Sequence, residues 1–70
     1  MSLELIFEVT EAEEGGYDAR ALGEAIFTQA ETWDELKSNI QDAVNCHFEL
    51  ESERPKVIRI HFIRDEVFAL

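Results

Sequence analysis

Cysteine, proline and basic residues are all scarce in this chain, and each scarcity closes off an option. Cys46 is the one cysteine, so no disulfide can staple the fold, and a lone thiol in a short chain suits a reducing cytosol. Pro55 is the one proline, and neither an internal repeat nor a low-complexity tract is present. Six Lys and Arg residues face sixteen Asp and Glu, a formal net charge of -10. Such a charge repels nucleic-acid phosphates over most of the surface and favours encounter with a basic partner. No stretch approaches the roughly 20 apolar residues of a membrane span, and the first residues lack the basic start and apolar run of a signal peptide. A cytoplasmic location away from membranes is expected.

What is present is enough for one domain over residues 1–70, since independent domains rarely fall below about 50 residues. A domain of this size buries only about 60% of its unfolded surface and gains stability by associating with itself or with a partner. The charge is uneven. Residues 1–35 carry ten acids against Arg20, whereas residues 36–70 carry six acids against five bases, four of which (Arg54, Lys56, Arg59 and Arg64) fall close together. A solvated acidic face is the plain reading of such a run.

Leu3-Glu4-Leu5-Ile6-Phe7-Glu8-Val9-Thr10 alternates apolar and polar almost strictly, with Leu3, Leu5, Phe7 and Val9 on one side, which is the pattern of a half-buried strand. Glu11 to Gly16 then breaks it, and Gly15-Gly16 can take the positive φ angles that reverse a chain. The spacing predicts a returning strand over Tyr17–Leu22, a turn at Gly23-Glu24, and a short third strand over Ala25–Gln29. Thr32-Trp33-Asp34-Glu35 has the form of a capping box at a helix start. Leu36, Ile40, Ala43, Val44, His47 and Phe48 then recur at helical spacing, and Asp34 and Glu35 suit the positive end of the dipole. The helix is predicted from Trp33 to Leu50, before Pro55 excludes its continuation. Val57–Arg64 reads as the last strand, with Ile58, Ile60 and Phe62 facing the core and Val57, Arg59, His61 and Ile63 facing away.

The expected fold class is therefore α+β, in the order β-β-β-α-β, with one helix packed on a small mixed sheet. A right-handed crossover would lay the fourth strand beside the first and give strand order 3-2-1-4. The other face of that sheet has no helix to cover it, yet carries Ile6, Val57 and Ile63 beside Arg59 and His61. An uncovered apolar patch of this kind is often an interaction surface.

Catalytic constellations are not found. Glu4 and Glu8 share one side of the first strand but lie about 13 Å apart at roughly 3.3 Å per residue, too far to hold one cation. Cys46 and His47 diverge by about 100° on a helix, with no further Cys or His at zinc-ligand spacing. His47 is expected at the core margin and Cys46 buried or half-buried. Gly15-Gly16 opens a strand instead of a helix and lacks the lysine of a phosphate loop. The bases of the last strand lack the interleaved aromatics of sheet-type RNA readers. Trp33 reads first as packing against the third strand and second as a partner anchor. No enzyme, metal or cofactor follows from this pattern.

Gly15-Gly16-Tyr17, then Phe27-Thr28-Gln29-Ala30, then Thr32-Trp33-Asp34-Glu35-Leu36 opening a helix, together resemble the HicB antitoxin family, with its GGY strand, FTQG-like strand end and T-x-x-E-A-type helix start. The resemblance covers roughly residues 3 to 50. Ile60–Leu70 looks like the tail of a short stand-alone branch. The resemblance implies a partial ribonuclease-H-like fold without catalytic carboxylates, homo-oligomers, and a HicA-type partner, a small basic RNA-cleaving toxin neutralised by contact. Two departures stand out. Leu22-Gly23-Glu24-Ala25-Ile26 replaces the family's proline-rich turn, and no DNA-binding domain follows Leu70, which argues against direct DNA binding.

Two functions follow from these readings: an antitoxin-like binding module, or a stand-alone structural or regulatory homo-oligomer that keeps the fold without the toxin. The candidate interface comprises the hairpin acids Glu8, Glu11, Glu13, Glu14 and Asp18, the sheet-face residues Ile6, Arg59, His61 and Ile63, the anchor Trp33, and Val67 and Phe68 of the tail. A homodimer or higher even oligomer is expected, built partly on the uncovered face or on that tail.

Overall fold

A computed structural model describes residues 4–70. Strand β1 (Glu4–Glu11), β2 (Tyr17–Ala21) and β3 (Phe27–Ala30) lead into helix α1 (Trp33–His47), a single 3-10 turn at Glu51–Glu53, and strand β4 (Val57–Ile63). The sheet order is β3-β2-β1-β4, with β1/β2 and β2/β3 antiparallel and β1/β4 parallel. This is the mixed four-stranded β-β-β-α-β sheet expected from the alternation and the single helical stripe.

The alternation of β1 sorts it into two rows. Leu5, Phe7 and Val9 are buried, and they meet Ala19 and Ala21 of β2, Ile26 before β3, and Leu36, Ile40 and Val44 of α1. Leu3, expected on the same row, lies outside the described residues. Phe7, Val9, Leu36 and Ile40 are the largest wholly enclosed side chains. The helix lies over β2 and β3, so Ile58 and Ile60 of β4 are only partly buried against the core. Phe62, expected inside with them, is 40% exposed.

Gly16 is fixed by local geometry. Its φ is +85°, and a Cβ there would sit 2.6 Å from the Ala30 carbonyl oxygen. The hairpin therefore closes against the end of β3 only because this residue has no side chain. The start of α1 follows the capping box: Thr32 Oγ1 accepts from the Glu35 N–H at 3.2 Å. The Glu35 carboxylate reaches back to the N–H of Glu31, one residue before the cap.

Element ends differ from the sequence expectation in six places, two of them one-residue extensions, β1 to Glu11 past Thr10 and β3 to Ala30 past Gln29. Strand β2 stops at Ala21, one residue short of Leu22, because the chain turns at Gly23 with a φ of +86°. Strand β3 begins at Phe27 instead of Ala25, since Ile26 is held in the turn by bonds from Ala21 N–H to Ile26 O and from Ile26 N–H to Glu24 O. Strand β4 ends at Ile63 instead of Arg64, where its register with β1 runs out. Helix α1 ends at His47 instead of Leu50. There Phe48 turns extended while its N–H still bonds Val44 O, and Arg54 donates to the carbonyls of Phe48 at 3.0 Å and Asn45 at 3.3 Å. A cationic side chain thus takes up carbonyls that a helix end leaves unpaired.

Two side chains lie elsewhere than expected. His47 is at the surface, where Nε2 pairs with Glu24 at 2.9 Å and ties the helix end to the β2–β3 turn. Cys46 is exposed, not buried or half-buried, because it points away from the side of α1 that carries Leu36, Ile40 and Val44.

Candidate protein-binding surface

Every second residue of β1 points to the sheet face that α1 does not cover, and strand register places the rest of that face. Phe27, Arg20, Glu8 and His61 form one row across the four strands, and Gln29, Asp18, Thr10 and Ile63 form the next. Ile6 stands beside Arg59 of β4, and its carbonyl accepts the Leu22 N–H at 2.9 Å on the other side. The face is mixed, with Phe27 62%, Val57 55% and Leu22 42% exposed around Ile6 and Ile63, both half-buried. Below Ile6 and Leu22, an open hollow is completed by Phe48 and Pro55.

Most charges on this face are already matched, Asp18 apart. Glu8 pairs with Arg20 at 3.2 Å across β1/β2, and Glu4 pairs with Arg59 across β1/β4. The hydrogen bond that Arg59 donates to Glu4, and then the negative charge of Glu4, hold the Arg59 guanidinium above its ordinary pKa, with an opposing effect of desolvation. Arg59 is a fixed cation. At the sheet end, Glu11 meets Arg64 at 3.5 Å. Exposed pairs like these add little stability, but they leave the face close to neutral between its apolar members.

The candidate interface residues therefore separate into four places. Ile6, Glu8, Asp18, Arg59, His61 and Ile63 share the uncovered face. Glu11, Glu13 and Glu14 ring the hairpin tip, where all three are exposed. Trp33 is on the opposite, helix-bearing side. Its ring stands edge-on to Tyr17 at 5.3 Å and to Phe62 at 5.6 Å, and those two meet at 6.0 Å. The aromatic neighbours of Trp33 thus come from β2 and β4. Val67 and Phe68, 95% and 74% exposed, lie in the segment beyond β4.

Two residues of the uncovered face escaped the sequence reading, Leu22 and Phe27. Leu22 shares parity with Asp18 and Arg20, which was the available signal. For Phe27 the signal was its adjacency to Ile26, because neighbouring strand residues cannot both point inward.

Among the described residues, no three His, Cys, Asp or Glu side chains converge as a metal site, and no helix is long and apolar enough to cross a membrane. Every buried side-chain polar atom among them has a hydrogen-bond partner.

No family model matches the chain, and no solved structure does. Two curated proteins do. A UPF0150 protein of Thermotoga maritima is 40% identical over 67 residues, covering 96% of this chain and 93% of its own length. A UPF0150 protein of Archaeoglobus fulgidus is 58% identical over 53 residues, covering 76% of this chain and 77% of its own. Identity of this extent along nearly the whole of both chains places the protein in the UPF0150 family.

Proposed function

We propose that this protein is a non-catalytic binding module of the HicB antitoxin type, acting in the cytoplasm by holding a small basic HicA-like RNA-cleaving toxin in direct contact. The observation that carries the reading is the uncovered sheet face, where Ile6, Leu22, Phe27, Val57 and Ile63 surround two ion pairs made within the chain, Glu8 with Arg20 and Glu4 with Arg59. Such a face contributes apolar burial without stranding charges when it is covered. The GGY, FTQA and TWDE elements support the same reading: Gly16 closes on the Ala30 carbonyl, and Thr32 caps α1. On this reading the sheet and helix correspond to the partial ribonuclease-H-like fold of HicB proteins, and the chain itself performs no chemistry.

The acidic excess serves encounter. Glu13 and Glu14 at the hairpin tip make no ion pair among the described residues, whereas Glu8 and Glu11 are each spent on an arginine. Long-range attraction of a basic partner then rests mainly on Glu13, Glu14 and Asp18, and apolar contacts hold the complex.

Co-expression with the basic open reading frame nearest the gene tests this. The expected result is that RNA cleavage by the purified partner stops at equimolar amounts of this protein, and that Phe27→Asp or Ile6→Asp restores cleavage while the fold persists. If cleavage continues with the parent protein in excess, the antitoxin reading fails. The second reading, a stand-alone homo-oligomer, is favoured by the exposed apolar residues beyond β4, which the toxin-binding face does not use.

A further inference from the structure

We infer that two copies of this chain join through the outer edge of β4, antiparallel about Ile60, and that the segment after β4 of each copy docks beside Arg54 and Lys56 of the other. This deepens the self-association named above and stands independently of any toxin.

The first observation is an unprotected edge. Strand β4 is outermost in the sheet, spans seven residues, and among the described residues pairs with β1 alone. Proteins blunt such edges with proline, lysine or a bulge, and Val57–Ile63 has none of these: its register with β1 is continuous. Arg59, the one charged residue within it that could obstruct a neighbour, is turned onto Glu4. The opposite edge, β3, has four residues, and Asn39 of α1 already caps its Gln29 carbonyl at 2.9 Å.

The second observation is that Val-Ile-Arg-Ile-His-Phe-Ile is self-complementary about its centre. Paired antiparallel on Ile60, the strand sets Ile60 against Ile60, Ile58 against Phe62, Val57 against Ile63, and Arg59 against His61 of the second copy. Opposed residues point to the same face. The half-buried Ile58 and Ile60 and the exposed Phe62, left uncovered because α1 lies over β2 and β3, then meet one another. A shift by one residue would set Ile60 against Arg59 or His61 and lose this match.

The third observation is charge. The same register carries Asp65 and Glu66, just past the paired strands, alongside Pro55 and Arg54 of the other copy, and sets Lys56 opposite Arg64, whose charge Glu11 of its own chain takes up. Among the described residues Asp65, Glu66 and Lys56 make no ion pair, and Arg54 contacts only carbonyls. In a chain of net charge -10, an acid set against a cation without a carboxylate partner, Glu66 against Arg54, is a specific match. Beyond them Val67 and Phe68 reach the groove between α1 and the start of β4, whose floor is Ile40, Val44 and Ile58. The molecule's long axis of 52 Å against 20 and 18 Å shows how extended the chain is.

Single-cysteine cross-linking in a Cys46→Ser background tests the register without any partner protein. Residues directly opposed lie about 5 Å apart at Cα, within disulfide reach, whereas Ile58 and its own copy would be offset by four residues, about 13 Å. Ile60→Cys should oxidise to a covalent dimer and Ile58→Cys should not, but a mixture of Ile58→Cys with Phe62→Cys should. If Ile60→Cys disturbs the circular dichroism, a mixture of Arg59→Cys and His61→Cys reads the same register at exposed positions. Glu66→Lys, which sets a cation against Arg54, should weaken the parent dimer about tenfold at low salt and much less at high salt. A parent that scatters light as a monomer at about 100 μM, or Ile58→Cys cross-linking alone as well as Ile60→Cys, overturns the proposal. Cross-linking as expected with the dimer's affinity unchanged in Glu66→Lys overturns the docking of the segment. Failure of the cross-links leaves the toxin-binding reading standing, since that reading is tested by RNA cleavage.

Discussion

Replacing Gly16 by alanine should be among the most damaging single-methyl additions in the molecule, and its cost can be separated into two parts. At φ +85° a non-glycine residue is strained by about 1–2 kcal/mol. The added carbon would also sit 2.6 Å from the Ala30 carbonyl oxygen and 3.2 Å from the Glu31 Cα. Both are backbone atoms, so the hairpin and the end of β3 must separate, at about 1–3 kcal/mol more by analogy with overpacked cores. Gly15 is the internal control: its φ is +103°, but an added Cβ meets nothing within 4 Å. Unfolding entropy is about 2.1 cal/mol/K per residue, so in a chain this short each kcal/mol shifts Tm by about 7 °C. Gly16→Ala should therefore lower Tm by roughly 14–35 °C and Gly15→Ala by roughly 7–14 °C. Thermal denaturation followed by circular dichroism at one protein concentration measures both. Equal losses would show that backbone conformation alone sets the cost and that the contact with Ala30 is slack.

The remaining expectations are narrower. Thr32→Ala should cost about 1 kcal/mol in urea denaturation by leaving the Glu35 N–H without its cap, and Thr32→Ser should recover most of it. Leu36→Ala should cost about 2–5 kcal/mol, because a wholly buried side chain leaves a cavity under the helix; a loss below 1 kcal/mol would mean that α1 settles onto the sheet. Neutralising Glu13, Glu14 and Asp18 together should slow association with a basic partner several-fold at low salt and much less at high salt, since exposed charges are screened over about 8 Å at physiological ionic strength. Dissociation should change little. If association at low salt is unchanged in stopped-flow mixing, the acids are a solubilising coat. Phosphatase, esterase and nuclease screens with magnesium, manganese or zinc should remain at background; activity that co-purifies with the protein and disappears in Glu4→Gln or Glu8→Gln would overturn the non-catalytic reading.

Periodicity made the architecture legible before the coordinates did. Leu5, Phe7 and Val9 share a row because β1 alternates, and Leu36, Ile40 and Val44 share a stripe because they recur at helical spacing; together they fix which faces meet. Ends of elements were less legible, because the side chain that stops α1 is Arg54, six residues beyond Phe48, and no local pattern announces such a contact. The same limit hid the setting of Trp33, whose neighbours Tyr17 and Phe62 come from opposite ends of the chain. Among the candidate interface residues, the alternation correctly grouped Ile6, Arg59, His61 and Ile63 on one face. It could not show that Glu8 and Glu11 were already engaged by Arg20 and Arg64, since pairing across strands depends on register and sequence spacing alone does not supply it.

The parallel pairing of β1 with β4 has a consequence for how the chain comes into being. Glu4 and Arg59, joined across these strands, are 55 positions apart, whereas β1, β2, β3 and α1 follow one another through short connections. A ribosome adding about 5–20 residues per second therefore delivers β1 to its hairpin partner seconds before it delivers β4. During that interval the flank of β1 that β4 will cover is bare, and the apolar row Leu5, Phe7 and Val9 is roofed only in part. Contacts so distant in sequence also close slowly once synthesis is done. Misassembly during biosynthesis should accordingly be most sensitive to β4: substitutions that weaken its pairing with β1 should lower soluble yield more than their effect on the melting point suggests, and a slower tract of codons after β4 would not help, because the vulnerable interval has by then passed.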